Sequence, residues 1–126
     1  MNQSLWGAVG LDTQMIVELA PVLDAVGYHC AELITSSTIS TTVRHLQEDP
    51  WKRIDTAVKA MPNTKLGFLT TGKRFISWHR TPDVLFELAF GLLVRHGVRR
   101  LWIIDPMNVT SDAARMAEMA KKVIFS

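Results

Sequence analysis

Residues 48–72 read EDPWKRIDTAVKAMPNTKLGFLTTG and contain one helix-to-strand unit. Asp49-Pro50 is typical of a helix start, because aspartate caps free backbone amides and proline suits the first turn. The helix is predicted to run to about Met61. The apolar run from Leu66 to Leu69 that follows is short enough to be a buried strand. This stretch therefore predicts an α/β fold.

Two more apolar runs of the same kind lie on either side, at Cys30–Ile34 and Leu101–Ile104. The runs are spaced by roughly 35 residues, which is about the length of one strand, one helix and the connection back to the next strand. Continuous apolar character predicts parallel strands that are covered on both faces. The three runs are expected to be neighbouring strands of one sheet.

A first helix is predicted from Asp12 or Thr13 to about Val26, with Gly27 ending it. Pro21 inside this run predicts a kink or break. One face of the helix is apolar and is expected to pack inward. That face consists of Met15, Ile16, Leu19, Val22, Leu23 and Val26.

Further helical segments fill the other gaps. A turn or two is predicted at Ser40–Gln47, a helix from Thr81-Pro82 to Gly97, and a last helix from Thr110 or Ser111 to about Lys122. Alternating helices and strands predict a parallel sheet with right-handed crossovers. Periodicity alone does not separate an open doubly wound sheet from part of a barrel.

Composition restricts the class of protein. The chain has 126 residues, 48% of them apolar, and a net charge of +2, which predicts one folded domain and no nucleic-acid partner. The single cysteine, Cys30, excludes an internal disulfide and is interpreted as a buried small hydrophobe. The longest apolar stretches are too short or too interrupted for a membrane span. With no secretory signal, a soluble cytoplasmic protein is expected.

Functional residues of parallel sheets follow the carboxyl ends of the strands. This rule selects Thr35–Thr38, Thr70–Arg74 and Asp105–Asn108, with Glu32 inside the first strand. Helix capping is the commoner use of a hydroxyl run, and a turn is the commoner use of Gly72. Asp105 and Asn108 suit a substrate-side role and a loop-capping role equally.

Glu32 is expected to need a partner, because an unpaired buried carboxylate is costly. The partner could be Lys73 or Arg74, or Glu32 could belong to a polar site. No two of the four histidines have metal-ligand spacing, and no phosphate-binding glycine motif follows a strand. The residue types alone yield no catalytic mechanism.

Four blocks of the sequence occur in the order typical of a known enzyme family. They resemble the carboxyltransferase barrel of biotin-dependent pyruvate carboxylase, oxaloacetate decarboxylase and related HMG-CoA-lyase-like enzymes. The resemblance implies an α/β fold, a partial (β/α)8 TIM barrel with about three parallel strands and flanking helices, forming a single domain over 1–126. The blocks are Gln3–Gly7, Glu48–Arg53, Met61–Leu66 and Asp105–Asn108.

The resemblance implies carboxyl transfer from carboxybiotin to a small keto acid, or decarboxylation of such an acid. Biotin and a divalent metal (Mn, Zn or Mg) are implied for the complete family, and no metal ligand is expected in this chain. The resemblance implies a catalytic role for Gln3, Thr71 and Arg74, of which Arg74 is placed where the family needs a positive charge. It implies a substrate-binding role for four residues that match family positions, Glu32, Thr38, Asp105 and Asn108.

Departures from the family pattern are equally specific. The family's first strand is expected upstream of Asn2, and its metal-binding lysine and H-x-H pair beyond Ser126. Thr71 stands where pyruvate-handling members of the family have an arginine, and Arg74 could supply that charge. The chain is therefore expected to lack the first strand and the C-terminal half of the barrel and to be inactive alone.

Two other functions remain open. The chain could be a non-catalytic half-barrel that assembles with another half, or a generic α/β domain that binds a ligand near Arg74 and Asp105. Three strands leave two open sheet edges, which favour association. A homo-oligomer, or a complex with the missing barrel half, is therefore expected.

Overall fold

The computed structural model describes residues 10–75 and 79–124. The elements follow one another as helix, strand and helix in the predicted alternation. In chain order they are α1 (Thr13–Ala25), β1 (Cys30–Thr35), α2 (Ser36–Thr41), a π-helical turn (Thr42–Leu46), α3 (Pro50–Ala60), β2 (Lys65–Thr71), α4 (Asp83–Arg95), β3 (Val98–Ile104) and α5 (Thr110–Ile124). None of the described helices is long and apolar enough to cross a membrane.

The three strands form one parallel sheet in the order β1-β2-β3. Ala31 pairs with Leu66, and Leu66 in turn pairs with Val98. The register shifts by one residue in β1 and again in β3, so each outer strand has a local irregularity. The predicted α/β class with three parallel strands is confirmed.

The predicted ends of α1, α3 and α4 agree with the structure, whereas the turn predicted at Ser40–Gln47 belongs to a helical stretch that already begins at Ser36. The Asp49 carboxylate accepts a hydrogen bond from the Trp51 amide at 2.9 Å, and Pro50 occupies the first turn of α3. Gly97, with φ +95°, follows α4 in the left-handed conformation that favours glycine. The predicted break in α1 is absent, because the helix continues without interruption through Pro21.

The hydrophobic core lies between the sheet and its helices. Alternate residues of β2 point into it, and Leu66 and Phe68 are almost completely buried. Full burial of one such side chain contributes about 1.5–3 kcal/mol. The helices supply the facing side chains, which include Ile54, Phe86, Phe90, Leu93 and Met116.

Within residues 10–75 and 79–124, no helix covers the opposite face of the sheet, so for this part of the chain the prediction that both faces are covered is wrong. Glu32, Arg100 and Ile104 are exposed there, and Trp102 is half-buried. Trp102 lies across Gly67 of the neighbouring strand, and the Arg100 guanidinium lies 5.1 Å from the Trp102 ring centroid. The apolar strand runs did not reveal that the described helices cover only one face of the sheet.

The apolar face predicted for α1 is also wrong in part. Ile16 and Ala20 are buried, because α1 packs on α3 through them and their neighbours. Most of the predicted face points to solvent instead. The exposed members are Met15, Leu19, Val22 and Val26.

The Glu48 carboxylate connects the start of α1 to α3. It accepts hydrogen bonds from the Thr13 hydroxyl at 2.5 Å and from the Arg53 guanidinium at 3.0 Å. Arg53 is 4% exposed and also donates to the Leu11 carbonyl. The buried Arg53 guanidinium is therefore paired with a partly exposed carboxylate and a backbone carbonyl, while its Nε has no hydrogen-bond partner among the described residues.

Candidate functional site

A cavity of about 280 Å³ lies at the carboxyl ends of β2 and β3. In parallel sheets this is the edge where ligands bind. Three cationic side chains and one carboxylate belong to its lining. The lining residues are Thr71, Lys73, Arg74, Arg80, Asp105, Pro106 and Met107.

The turn after β2 forms one wall of this cavity. The Thr71 hydroxyl donates to the Arg74 carbonyl at 2.8 Å and accepts from the Arg74 amide at 3.3 Å. The Gly72 amide donates to the Ile104 carbonyl at 3.0 Å, which joins this turn to the end of β3. The Thr81 amide closes the loop by donating to the Lys73 carbonyl at 2.9 Å. Thr71 therefore shapes the turn that presents Arg74.

Ion pairs hold this turn against α5. The Lys73 ammonium lies 2.8 Å from an Asp112 carboxylate oxygen, and Arg115 donates to the Gly72 carbonyl at 2.9 Å. Arg115 also pairs with Asp83 at the start of α4. The hydrogen bond from Lys73 holds the pKa of Asp112 below its ordinary value, despite some desolvation. Part of the cationic charge at the rim is therefore compensated within the protein.

Asp105 and Asn108 lie in the turn after β3. The Asp105 carboxylate accepts from the Val109 amide at 2.5 Å, and the Asp105 carbonyl accepts from the Asn108 amide at 2.9 Å. Asn108 is exposed and has φ +55°, a conformation that asparagine tolerates. Both residues thus have a loop-forming role, and Asp105 lines the cavity as well.

Thr38 lies in the capping box of α2. Its hydroxyl accepts from the Thr35 amide at 2.6 Å, and its amide donates to the Thr35 hydroxyl at 3.1 Å. The residue is 5% exposed. The hydroxyl run after β1 is thus used as a helix cap, and no described contact directs Thr38 toward the cavity.

The structure places Glu32 away from the cavity. Glu32 pairs in register with Gly67, four residues before Thr71, which corresponds to about 13 Å along the strand. Its side chain is exposed, so the inference of a buried carboxylate that needs a partner is wrong. The proposed partner Lys73 pairs with Asp112 instead.

Gln3 lies outside the described residues. The sequence reasoning missed Arg80, which joins the cavity from the segment before α4. No motif marks Arg80, because its position depends on the contact between the Thr81 amide and the Lys73 carbonyl, which are eight residues apart in the chain. Among residues 10–75 and 79–124, no group of three or more His, Cys, Asp or Glu side chains could hold a metal ion. The described residues therefore do not fit a divalent metal.

The chain is similar in sequence to several curated carboxylases and carboxyltransferases, although no family model matches it. It is 28% identical over 116 residues to a subunit of pyruvate carboxylase from Methanocaldococcus jannaschii, and 28% identical over 101 residues to the 2-oxoglutarate carboxylase large subunit of Hydrogenobacter thermophilus. It is 29% identical over 100 residues to the methylmalonyl-CoA carboxyltransferase 5S subunit of Propionibacterium freudenreichii subsp. shermanii.

These alignments cover 92%, 80% and 79% of this chain but only 20%, 16% and 20% of the relatives. The chain thus spans about a fifth of the length of the curated proteins that it matches. The resemblance to carboxyltransferases that the four sequence blocks predicted is confirmed.

Solved structures show the same architecture. The chain matches the carboxyl transferase domain of Rhizobium etli pyruvate carboxylase with a TM-score of 0.86 at 21% identity, over 97% of this chain and 21% of that one. A complete multifunctional pyruvate carboxylase from Rhizobium etli gives the same TM-score. The three-stranded sheet therefore has the fold of a part of the carboxyltransferase TIM barrel, and within the described residues it is not closed.

Proposed function

We propose, from this similarity, that the chain contributes part of a site for carboxyl transfer to or from a small keto acid. The observation that carries the proposal is the cationic cavity at the carboxyl ends of β2 and β3. A keto acid has a carboxylate next to a carbonyl oxygen, and both groups favour positively charged hydrogen-bond donors.

Arg74 and Arg80 are the proposed contacts to the keto acid. A guanidinium presents several N–H donors in a fixed plane and can bind a carboxylate through two of them. Positive charge here would also stabilise the negative charge that develops on the keto oxygen when the neighbouring carbon gains or loses a carboxyl group. Thr71 acts on the reaction through the turn that positions Arg74.

The carboxyl donor is proposed to be carboxybiotin. One Rhizobium etli carboxyl transferase domain was solved with oxamate and biotin, and oxamate, like a keto acid, has a carboxylate next to a carbonyl oxygen. No step is assigned to a metal ion, because the described residues offer no donor set for one.

Ligand titration tests the proposal. Oxamate, pyruvate and oxaloacetate added to the isotope-labelled chain are expected to shift the amide resonances of Gly72, Arg74 and Asp105. Arg74→Ala and Arg80→Ala should each weaken binding about tenfold, since a hydrogen bond to a charged group contributes about 1.5–3 kcal/mol. Arg99→Ala, an exposed arginine at the other end of the sheet, serves as the control. Equal weakening in the control would contradict a specific site.

A second candidate function is a non-catalytic module that assembles with other barrel parts. The open sheet face and the exposed apolar residues of α1 favour it. Oxaloacetate decarboxylation separates the two functions. Activity above background that is lost in Arg74→Ala supports the carboxyl-transfer site, whereas absence of keto-acid binding and of activity supports the assembly module.

A further inference from the structure

One cation of the cavity lining is already paired with a carboxylate of the protein. Lys73 belongs to the lining, and its ammonium lies 2.8 Å from a carboxylate oxygen of Asp112, which lies beside the cavity and is not part of the lining. The Asp112 side chain is 16% exposed, against 43% for Lys73. The more mobile partner of this ion pair is therefore the one that borders the cavity.

Positive charge converges on Asp112 from several directions. Asp112 occupies the first turn of α5, where the free backbone amides favour a negative charge. Its other carboxylate oxygen lies 3.9 Å from the Arg115 Nε. The hydrogen bond from Lys73, together with the charges of Lys73, Arg115 and Arg80, holds the pKa of Asp112 below its ordinary value. The carboxylate therefore keeps favourable surroundings when Lys73 turns away from it.

The Lys73 ammonium can move without any change in the backbone of its turn. A lysine side chain is a flexible four-carbon stem that ends in three N–H donors. The backbone of the turn is held separately, because the Thr81 amide donates to the Lys73 carbonyl at 2.9 Å and Arg115 donates to the Gly72 carbonyl at 2.9 Å. Rotation about side-chain bonds is thus enough to carry the ammonium from Asp112 toward the cavity.

We propose that Asp112 competes with the substrate carboxylate for the Lys73 ammonium and thereby lowers the affinity of the cavity for keto acids. The inference rests on the proposed function, because it requires a keto acid to bind beside Arg74 and Arg80. The substrate gains Lys73 as a further contact only when the ion pair with Asp112 breaks. Part of the attraction between the substrate and the cationic lining is therefore offset by the loss of this pair.

A purely structural role of Asp112 predicts the opposite result. In that case the ion pair only ties the turn after β2 to α5, and its loss loosens the cavity and weakens binding. Competition predicts that removal of the Asp112 charge strengthens binding, because Lys73 becomes available to the ligand. The two roles therefore differ in the sign of one measured change in affinity.

Calorimetric titration of the full chain with oxamate tests the competition. Asp112→Asn keeps the shape of the side chain and removes its charge, and it is expected to bind oxamate about fivefold more tightly than the wild type, the effect of one partly exposed ion pair. In a Lys73→Gln background the same substitution should change the affinity much less, which a double-mutant cycle measures. A gain caused only by weaker repulsion between Asp112 and the ligand would persist in that background.

Glu118→Gln is the matched control, because it removes the same charge from an exposed ion pair on the same helix, in which Glu118 lies 3.1 Å from Lys121. It is expected to leave oxamate binding unchanged. Far-UV circular dichroism and cooperative thermal unfolding establish that each variant is folded. Asp112→Ser, a second neutral variant that suits the start of a helix, provides the same comparison if Asp112→Asn does not fold.

Tighter binding of oxamate by the neutral variants at position 112, dependent on Lys73, supports the competition. Equal or weaker binding by a folded neutral variant, an equal gain in the Lys73→Gln background, or an equal gain in Glu118→Gln would overturn it, while oxamate binding by the wild type would still support the keto-acid site. Absence of oxamate binding in both the wild type and the neutral variants would overturn the competition and the proposed function together.

Discussion

Glu48 shows how one residue can link distant parts of the chain. Burial raises the pKa of this carboxyl, but the hydrogen bonds from Thr13 and Arg53 outweigh burial and hold the pKa below its ordinary value. A carboxyl whose pKa is lower in the folded state stabilises the fold above the unfolded pKa, about 4.3 for glutamate. This contribution is lost as the pH falls through the folded-state pKa.

Glu48→Gln is predicted to lower the free energy of unfolding at pH 7 by about 1–3 kcal/mol, because the buried Arg53 loses its charged partner. The difference from the wild type should shrink as the pH falls below about 4.3, where wild-type Glu48 is also progressively protonated. Urea unfolding at pH 7 and pH 3 measures both effects. Glu18→Gln, at an exposed site on α1, is the control. A difference that does not depend on pH would contradict the role of the charge.

Cys30 fits its predicted role as a buried small hydrophobe only in part. It is half-buried, and burial raises the pKa of the thiol, partly opposed by Arg100 and Lys65. A raised thiol pKa lowers the fraction of reactive thiolate at neutral pH. This agrees with the interpretation of Cys30 as a packing residue.

At the scale of elements, close packing between β2 and β3 depends on one glycine. A Cβ atom on Gly67 would lie 1.8 Å from the Trp102 ring, which is far inside any allowed contact. The indole therefore occupies the space that a side chain on β2 would take. This contact belongs to the open face of the sheet, so the glycine serves packing rather than a turn.

Gly67→Ala is predicted to destabilise the protein by about 1–3 kcal/mol, the usual cost of overpacking. The Trp102 ring must move, so its fluorescence maximum and the near-UV circular dichroism should change as well. Gly67→Ala in a Trp102→Ala background should recover much of the loss. An unchanged melting temperature for the single variant would show that the ring does not pack on this glycine.

Gly91→Ala is predicted to have the opposite effect. Gly91 lies inside α4, where glycine costs about 0.5–1 kcal/mol relative to alanine. An added Cβ atom would lie 3.7 Å from the Val123 side chain, an ordinary contact. The expected gain is about 0.5–1 kcal/mol in thermal or urea unfolding. A loss of stability would indicate that α4 and α5 pack more tightly than this distance implies.

At the scale of the whole molecule, Arg115 joins α5, the turn after β2 and the start of α4. The same turn forms one wall of the cavity. Mobility of the cavity is therefore coupled to the packing of α5, which lies after all three strands in the chain. Local sequence patterns cannot reveal this coupling, because Arg115 lies 32 residues from Asp83 and 43 residues from Gly72 in the chain.

Arg115→Met is predicted to speed hydrogen exchange of the Gly72 and Thr81 amides by about tenfold or more, since a charged hydrogen bond contributes about 1.5–3 kcal/mol locally. Exchange in β1 should stay the same. Lys121→Met, an exposed cation on the same helix, is the control. Equal acceleration across all three strands would instead indicate global destabilisation.

The sequence by itself determined the elements and their order. Asp49-Pro50, Gly97 and the apolar runs act through the local backbone, so helix starts, helix ends and strands were predicted within a few residues. The four sequence blocks also predicted the carboxyltransferase fold, which the solved structures confirm. The candidate site was predicted only in outline, through Thr71, Arg74 and Asp105 at the strand ends.

Only the tertiary structure decided which surfaces are buried and which charges meet. Glu32 is exposed and Lys73 pairs with Asp112, although a buried pair between Glu32 and Lys73 was equally compatible with the sequence. Arg80 reaches the cavity because the neighbouring Thr81 amide bonds to the Lys73 carbonyl, just after β2. An apolar stripe on a helix looks the same in the sequence whether it faces the core or, as on α1, solvent. Burial and pairing depend on contacts between distant segments, and local sequence carries no information about those contacts.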